Sequence, residues 1–324
     1  MSAPPHPQRR VAAILTCYNE GRYIGDAVRS VLNQTCVDAI DQIVIADDGS
    51  AADTLEVLED IERWDSRILV LYGPGGAGLP AQRNLAISRT TAPFIAILDG
   101  DDWWSADKLE RQLPVLEANP DLGLVYSGYF MFGSDSLQTA TPGPVLDITS
   151  RPDLTLAYFL NDPPIIPSTT LLRRSAYTAC GGFDAAVRVF EDTDFYLRLS
   201  RHCRFAFVDA PVLYKRSRGT SITGGRRDLM AHHAFVALKA AADDPRLLAL
   251  VPRRLAERAR KLGNVRMVLG DEVEAKRLLR FATRLDPSNL RAWMSVAALT
   301  PMGAPLRRVM ASRMRSLRAA LGSS

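Results

Sequence analysis

The chain has 324 residues, 47% of them hydrophobic and 23% charged, which excludes a disordered or collagenous protein. That length suits about two domains. The formal charge of +4 conceals an asymmetry: residues 1–225 hold 20 Lys and Arg against 28 Asp and Glu, whereas residues 226–324 hold 20 against 8. An acidic part suits a cation, and a basic tail suits an anionic partner.

Cys17, Cys36, Cys180 and Cys203 form no C-x-x-C pair, which argues against a disulfide framework and a structural zinc site and fits a reducing cytosol. No apolar run reaches the roughly 18 residues of a membrane span. The opening MSAPPHPQRR is too short and proline-rich for a signal peptide. The sequence therefore predicts a cytoplasmic protein, soluble or peripheral at the inner face of a membrane.

Short apolar runs alternate with longer amphipathic ones over the first hundred residues. Strands are predicted at Val11–Thr16, Gln42–Ala46, Ile68–Tyr72 and Pro93–Leu98, with helices at Tyr23–Asn33, Thr54–Trp64 and Leu79–Ser88. Asp53, with Glu56 three residues on, reads as a helix N-cap. Apolar strands separated by helices of this length predict an α/β protein, a mainly parallel sheet with helices on both faces. Ligands of such sheets bind beyond the carboxyl ends of the strands. The segments to read for chemistry are therefore Thr16–Glu20, Asp47–Ser50, Gly73–Gly78 and Asp99–Trp104.

From Gly123 to Tyr214 the pattern is less regular, with strand-like Leu124–Phe132 and Ser168–Arg173 and a helix over Glu191–Arg201. Beyond Arg227 the chain reads as helices only: Asp228–Ala242, Arg246–Leu269, Asp271–Arg284, Asn289–Leu299 and Leu306–Leu321. Residues 226–324 thus form a helical C-terminal domain. Gly270-Asp271 and Leu285-Asp286-Pro287 resemble half a tetratricopeptide repeat; an ordinary helical hairpin is the plainer reading, since a repeat array needs about three units.

Asp99-Gly100-Asp101-Asp102 puts three carboxylates at one strand end, and a hard divalent cation neutralises such a cluster while leaving room for substrate phosphates. A polar turn is the plainer reading. Asp47-Asp48-Gly49-Ser50 ends a neighbouring strand, where carboxylates suit ribose hydroxyls or a base N–H, or form a simple turn. Tyr18 offers an aromatic face to a base. Arg83 and Asn84 open a helix near the expected nucleotide, and Arg suits phosphate or a base carbonyl. In Phe190-Glu191-Asp192-Thr193-Asp194, Asp192 shares a helical face with Phe195, Tyr196 and Leu199, so it is the acid directed to the packed side and a candidate general base. Favourable acidic charge at a helix start is the alternative.

Taken together, Ala13–Glu20, Ser30–Thr35, Asp47–Ser50, Arg83-Asn84, Leu98–Asp102, Gly181–Asp184 and Glu191-Asp192 resemble, in order and spacing, the family 2 glycosyltransferases of GT-A fold, over residues 11 to about 216. The resemblance implies inverting transfer of a single sugar from a nucleotide-diphosphate sugar, with a uridine diphosphate donor foremost, to a glycan, lipid-linked or protein acceptor in bacterial cell-surface polysaccharide synthesis. Residues 1–225 would be the catalytic domain. Thr16, Tyr18, Glu20, Asp47, Asp48, Arg83, Asp99 and Asp101 would bind the donor, Asp101 and Asp102 a Mn²⁺ or Mg²⁺ ion, and Asp192 would be the base. The family's usual His after the base helix is absent from Leu213–Ser221, leaving Arg216 or Arg218 to clamp the diphosphate. No nucleic-acid partner is expected, and the basic helix Leu306–Leu321 is a candidate for peripheral membrane contact. The competing reading is a degenerate GT-A domain serving as a docking module through its basic tail.

Overall fold

The structure is a computed structural model that describes residues 10–133, 140–216, 229–300, 303 and 305. The chain divides into two compact units. The first comprises residues up to Phe132, Ala140–Thr155 and Pro163–Arg216; the second takes in Leu156–Asp162 and the chain from Ser217 onward. The boundary at residues 225 and 226 lies outside the described residues, as do Arg218 and the predicted helix Leu306–Leu321.

The first unit alternates as its sequence predicts: β1 (Val11–Cys17), α1 (Gly21–Leu32), β2 (Ile40–Asp47), α2 (Ala52–Ile61), β3 (Ile68–Tyr72), α3 (Leu79–Ser88) and β4 (Phe94–Asp99). These four strands pair in parallel in the order β3-β2-β1-β4. Successive side chains of a strand point to opposite faces. Val11, Ala13, Leu15 and Cys17 accordingly join one core with Ile24 and Val28 of α1 and Leu58 of α2. Ala12 and Ile14 are also fully buried but stand outside that core, and α3 packs on β1 and β2. Helices on both faces explain why β1 and β4 read as unbroken apolar runs.

The sheet then continues through antiparallel pairs. After β5 (Trp103–Trp104), α4 (Lys108–Ala118), β6 (Leu122–Phe132) and β7 (Thr141–Pro142) come α5 (Leu154–Asn161), β8 (Leu171–Arg173), α6 (Arg174–Ala179), α7 (Glu191–Leu199) and β9 (Arg204–Arg216). The nine strands run β3-β2-β1-β4-β8-β6-β9-β5, with β7 on β6. β8 is antiparallel to β4 and β6, whereas β6 and β9 pair in parallel across several register shifts. The predicted strand over Ser168–Arg173 shrinks to three residues because Pro167–Thr169 forms a 3-10 turn. β9 has no predicted counterpart: Pro211 interrupts it where the register shifts opposite Gly128, and a mid-strand proline is a signal against a strand. Asp53 is not the N-cap of α2. It lies inside the first turn, with Ala51 at the cap and its own carboxylate accepting from the Thr54 N–H.

The second unit contains α8 (Leu229–Asp243), α9 (Val251–Val268), α10 (Glu272–Leu285) and α11 (Leu290–Ala298). The helix predicted from Arg246 begins as a 3-10 turn, Pro245–Leu250, and becomes α-helical where Pro252 occupies the first turn. Asp271 and Asn289 cap α10 and α11 by accepting from the Glu274 and Ala292 N–H groups. Within this unit Arg254 is fully buried, donating to the Phe159 carbonyl and to Asp162. No helix among the described residues is long and apolar enough to cross a membrane.

Candidate functional site

Parallel registry brings the carboxyl ends of three strands level: Thr16 lies beside Asp99 across β1 and β4, and Cys17 beside Asp47 across β1 and β2. Each turn leaving these ends uses its acids differently. Asp47 is buried, and its carboxylate accepts from the Gly49 and Ser50 N–H groups and the Ser50 hydroxyl. Asp48 reaches across to the glycine-rich loop, accepting from the Ala77 N–H at 3.0 Å, the Gly78 N–H at 2.9 Å and the Gln82 amide at 2.8 Å. Both carboxylates are therefore held by the protein's own donors, an arrangement that fixes the loops. Gly49 has φ +78°, and a Cβ there would lie 2.6 Å from the Gly75 Cα, so only glycine lets the two loops touch.

The first loop is clipped to the second, because the Asn19 N–H donates to the Ser50 hydroxyl and the Asn19 carboxamide accepts from the Ala51 N–H. Thr16 is buried, whereas Tyr18 is 60% exposed and presents its ring to solvent. The Glu20 carboxylate lies over Gly100, whose missing Cβ would come within 2.5 Å of the Glu20 Oε2 and 2.6 Å of the Thr16 carbonyl.

Arg83 ties the remaining acids together. Its side chain is 1% exposed and makes ion pairs of 2.8 Å with Asp99 of β4 and 2.8 Å with Glu191 at the start of α7. Next to it the Asn84 amide donates to the Phe183 carbonyl while its oxygen accepts from the Phe183 N–H and the Tyr177 hydroxyl. The Arg83-Asn84 pair thus fastens α3 to the segment that introduces α7. Burial opposes ionisation of Asp99, but Arg83, Lys215 and a hydroxyl from Ser168 hold its carboxyl below the usual carboxylate range.

Asp192 follows Glu191 and is half-buried, its Oδ1 accepting from the Thr193 N–H at 2.6 Å. Burial, aided by the neighbouring charge of Glu191 and only partly offset by Arg83, pushes its pKa up to about 7. The sequence set Asp192 toward the packed side and Asp194 away from it; in the structure both are drawn inward, Asp194 the more deeply. Asp194 is 3% exposed and paired at 2.9 Å with Arg198, whose guanidinium also donates to the Cys180 carbonyl, so a cation accompanies Asp194 into the interior. Phe190, just before the helix, takes left-handed φ 61°, a costly conformation for a bulky residue and one that clusters at working sites.

Asp102, one of the two expected cation ligands, already has partners within the protein. It is fully buried, its Oδ1 accepts from the Arg216 N–H at 2.8 Å and its Oδ2 faces the Lys215 ammonium at 3.5 Å. Arg216 is itself packed against the rings of Tyr23, Phe132 and Trp103, with its Nε donating to the Asp101 carbonyl. It anchors the acidic turn. Trp104 is a core residue whose indole N–H donates to the Ser168 carbonyl, and Trp103 joins an aromatic cluster with Phe132 and Tyr214. Among the described residues no three His, Cys, Asp or Glu side chains converge as a metal site.

A family model described as "Glycosyl transferase family 2" matches residues 12–181, just over half of the chain. The chain belongs to glycosyl transferase family 2. TuaG of Bacillus subtilis is 35% identical over 125 residues, 39% of this chain and 48% of that protein. The Escherichia coli protein WfgD, "UDP-Glc:alpha-D-GlcNAc-diphosphoundecaprenol beta-1,3-glucosyltransferase", is 32% identical over 127 residues, again 39% of this chain and 48% of that one. The chain therefore matches about half the length of these curated relatives. Among solved structures, residues 1–349 of TarS from S. aureus in complex with UDP-GlcNAc align with TM-score 0.62 at 17% identity, covering 94% of this chain and 91% of that one. That likeness establishes the GT-A fold and the helical region after it.

In this family 2 chain the residues that the sequence missed are Glu191, Lys215 and Ser168. Lys215 and Ser168 are partners of acids that the sequence did single out, Asp102 and Asp99, and Glu191 is a partner of Arg83. Glu191 stood beside Asp192 in the acidic knot, yet only the fold shows that it meets Arg83, which is 108 residues away.

Proposed function

We propose that this chain is an inverting glycosyltransferase that moves one sugar from a nucleotide-diphosphate sugar to an acceptor hydroxyl. The observation that carries the reading is Asp192, a half-buried carboxylate with a pKa near 7, standing beside an Arg83-bridged pair of acids at the strand ends. A base with that pKa is balanced between the two forms at neutral pH, as general-base work requires. The acceptor oxygen attacks the anomeric carbon, its proton passes to the Asp192 carboxylate, and the bond from that carbon to the diphosphate oxygen breaks on the opposite side. The leaving diphosphate carries the electron pair away, and inversion follows.

The donor's nucleoside would lie over the strand ends, with Tyr18 stacking on the base and Thr16 and Glu20 beside it. Asp47 and Asp48 shape that pocket through the loops they hold, and Arg83 acts by positioning Asp99 and Glu191. For a divalent cation the donor set is oxygen only, which suits Mg²⁺ or Mn²⁺. Such ions use one or two carboxylates plus substrate phosphates, so half-buried Asp101 would hold the ion, while Asp102 is committed to Arg216 and Lys215. When bound, that ion would neutralise charge on the diphosphate.

The WfgD name specifies a lipid-linked diphosphate acceptor. It supports a lipid-linked glycan as acceptor here and a role in bacterial polysaccharide synthesis. Residues 1–225 would then be the catalytic domain and residues 226–324 a helical domain of its own. The test is incubation with uridine, thymidine, guanosine and cytidine diphosphate sugars and a pyrophosphate-linked lipid acceptor, with anomeric configuration read by NMR. One donor should give product of inverted configuration. Retained configuration would refute the mechanism, and no transfer from any donor would favour the docking-module reading.

A further inference from the structure

Helices α10 and α11 each use one face for folding. α10 buries Ala275, Leu278, Leu279 and Ala282, and α11 buries Ala292, Ser295 and Ala298. These inner faces meet α9 through small residues: Ala259 with Ala282 and Ala292, and Met267 with Ala275 and Ala298. The packing is close, since a Cβ on Gly263 of α9 would lie 2.7 Å from the Leu279 Cγ. The outer faces contribute nothing to this core, yet they are not ordinary polar surface.

On α11, Leu290, Trp293 and Met294 are 75%, 50% and 55% exposed at spacings of three and four residues, which puts three large apolar side chains on one outward stripe. The Trp293 indole N–H donates to the Pro287 carbonyl, so the ring is held with its apolar flank outward. On α10 the exposed positions are Glu272, at its first turn, and Val273 and Phe281 with Lys276, Arg277, Arg280 and Arg284, and Arg291 follows on α11. Arg277 is paired with Glu274 at 2.6 Å. Among the described residues no carboxylate pairs with Lys276, Arg280, Arg284 or Arg291.

We infer that the outer faces of α10 and α11 are a docking surface for an anionic lipid bilayer. Two features of the surface act together there. Tryptophan, leucine and methionine side chains gain by entering the boundary between headgroups and acyl chains, where an indole ring is favoured. Unpaired Lys and Arg beside them gain from lipid phosphates. A nucleic acid would answer the cations but leave Leu290 and Met294 with no apolar partner, and an acidic protein would need a matching apolar stripe beside its carboxylates. A second copy of the chain would answer the apolar stripe but bring the same cations face to face. The bilayer suits both halves of the surface without such a match. The inference is independent of donor and acceptor, because the surface is argued from unit two alone.

The test is flotation of the full-length protein with vesicles of phosphatidylcholine alone or mixed equally with phosphatidylglycerol. Wild type should partition at least tenfold more strongly to the anionic vesicles. The triple variant Leu290→Ser/Trp293→Ser/Met294→Ser should lose tenfold or more of that partition while keeping a wild-type circular dichroism spectrum and its sugar transfer in detergent. Arg280→Ser and Arg284→Ser should each cost roughly fivefold, the worth of one cation near an anionic surface. Trp293→Phe should keep binding but lose the part of the tryptophan emission quenched by brominated lipid. Absence of wild-type binding would overturn the inference. So would undiminished binding by the triple variant, which would assign membrane attachment elsewhere in the chain, or a concentration-dependent dimer that the triple variant abolishes without any vesicle binding.

Discussion

Two acidic turns leave β2 and β4, the strands on either side of β1, and they spend their charge in opposite ways. At the end of β2, Asp47 and Asp48 are satisfied by N–H, hydroxyl and amide groups of their own and adjoining loops. At the end of β4, Asp99 and Asp102 meet full cations, Arg83 and Lys215, and the same Arg83 draws in Glu191 from α7. Carboxylates bonded to backbone donors build a shape. Carboxylates bridged by one buried guanidinium store charge in a place from which water has been removed, where its rearrangement matters most. On the proposed function, the first turn supplies architecture and the second supplies chemistry.

The largest effect should come from the cation that joins the acids. Arg83→Met leaves Asp99 and Glu191 without their shared partner, and removing one member of a buried ion pair costs about 3–5 kcal/mol. Denaturant unfolding should show that loss, and Arg83→Lys should recover only part of it because an ammonium cannot make two fork-shaped contacts at once. A loss below about 1 kcal/mol, the range of an exposed pair, would place Arg83 with ordinary surface residues and erase the contrast between the turns.

Asp192→Asn should lower transfer by on the order of 10²-fold or more, the worth of a positioned general base, while leaving stability at neutral pH equal or higher. Its pH behaviour sharpens the point. Burial raises the native pKa of Asp192 to about 7, above the roughly 3.9 of an unfolded chain, so the native state holds the extra proton between those values. That contribution to stability is fully present at low pH and is lost as pH rises through 7. Activity runs the other way, with kcat/KM falling tenfold per unit below about 7 as the base is protonated. A flat profile between pH 5 and 8 would remove Asp192 from the proton transfer.

Gly100→Ala tests the second turn's geometry. The added methyl would meet the Thr16 carbonyl, which is backbone and cannot swing aside as the Glu20 side chain can. A loss of about 1–3 kcal/mol is expected, the usual cost of overpacking. The smallest effect belongs to the first turn: Asp48→Asn keeps a side-chain oxygen for one loop N–H and should lose about 1 kcal/mol, read as a lower unfolding midpoint with kcat little changed. A hundredfold fall in kcat for Asp48→Asn, with KM unmoved, would move chemistry into the first turn.

Much of this was legible before any coordinates. The period of apolar runs revealed β1 to β4 and α1 to α3 because strands covered on both faces leave an unmistakable trace. The starts of α10 and α11 next to Asp271 and Asn289 were similarly plain. β9 was hidden because its half-exposed pattern and Pro211 carry no clear period, and its bulges are written in the pairing with β6. At the site, the acids could be named individually but not their partners. No local spacing joins Arg83 to Glu191, and no local rule tells that Asp102 turns inward to the Arg216 N–H, 114 residues later. The burial of Asp194 was hidden for the same reason: helical spacing describes faces, but the pairing with Arg198 lets the interior take a second acid beside Asp192.

The most direct measurement is the thermal shift of wild type and Asp192→Asn with uridine, thymidine, guanosine and cytidine diphosphates, each with Mn²⁺ and with chelator, beside the transfer rate of both proteins. One nucleotide should stabilise the two proteins alike while only the wild type turns over at speed. Stabilisation by none of the four, or equal turnover by the variant, would contradict the assignment of this site to sugar transfer.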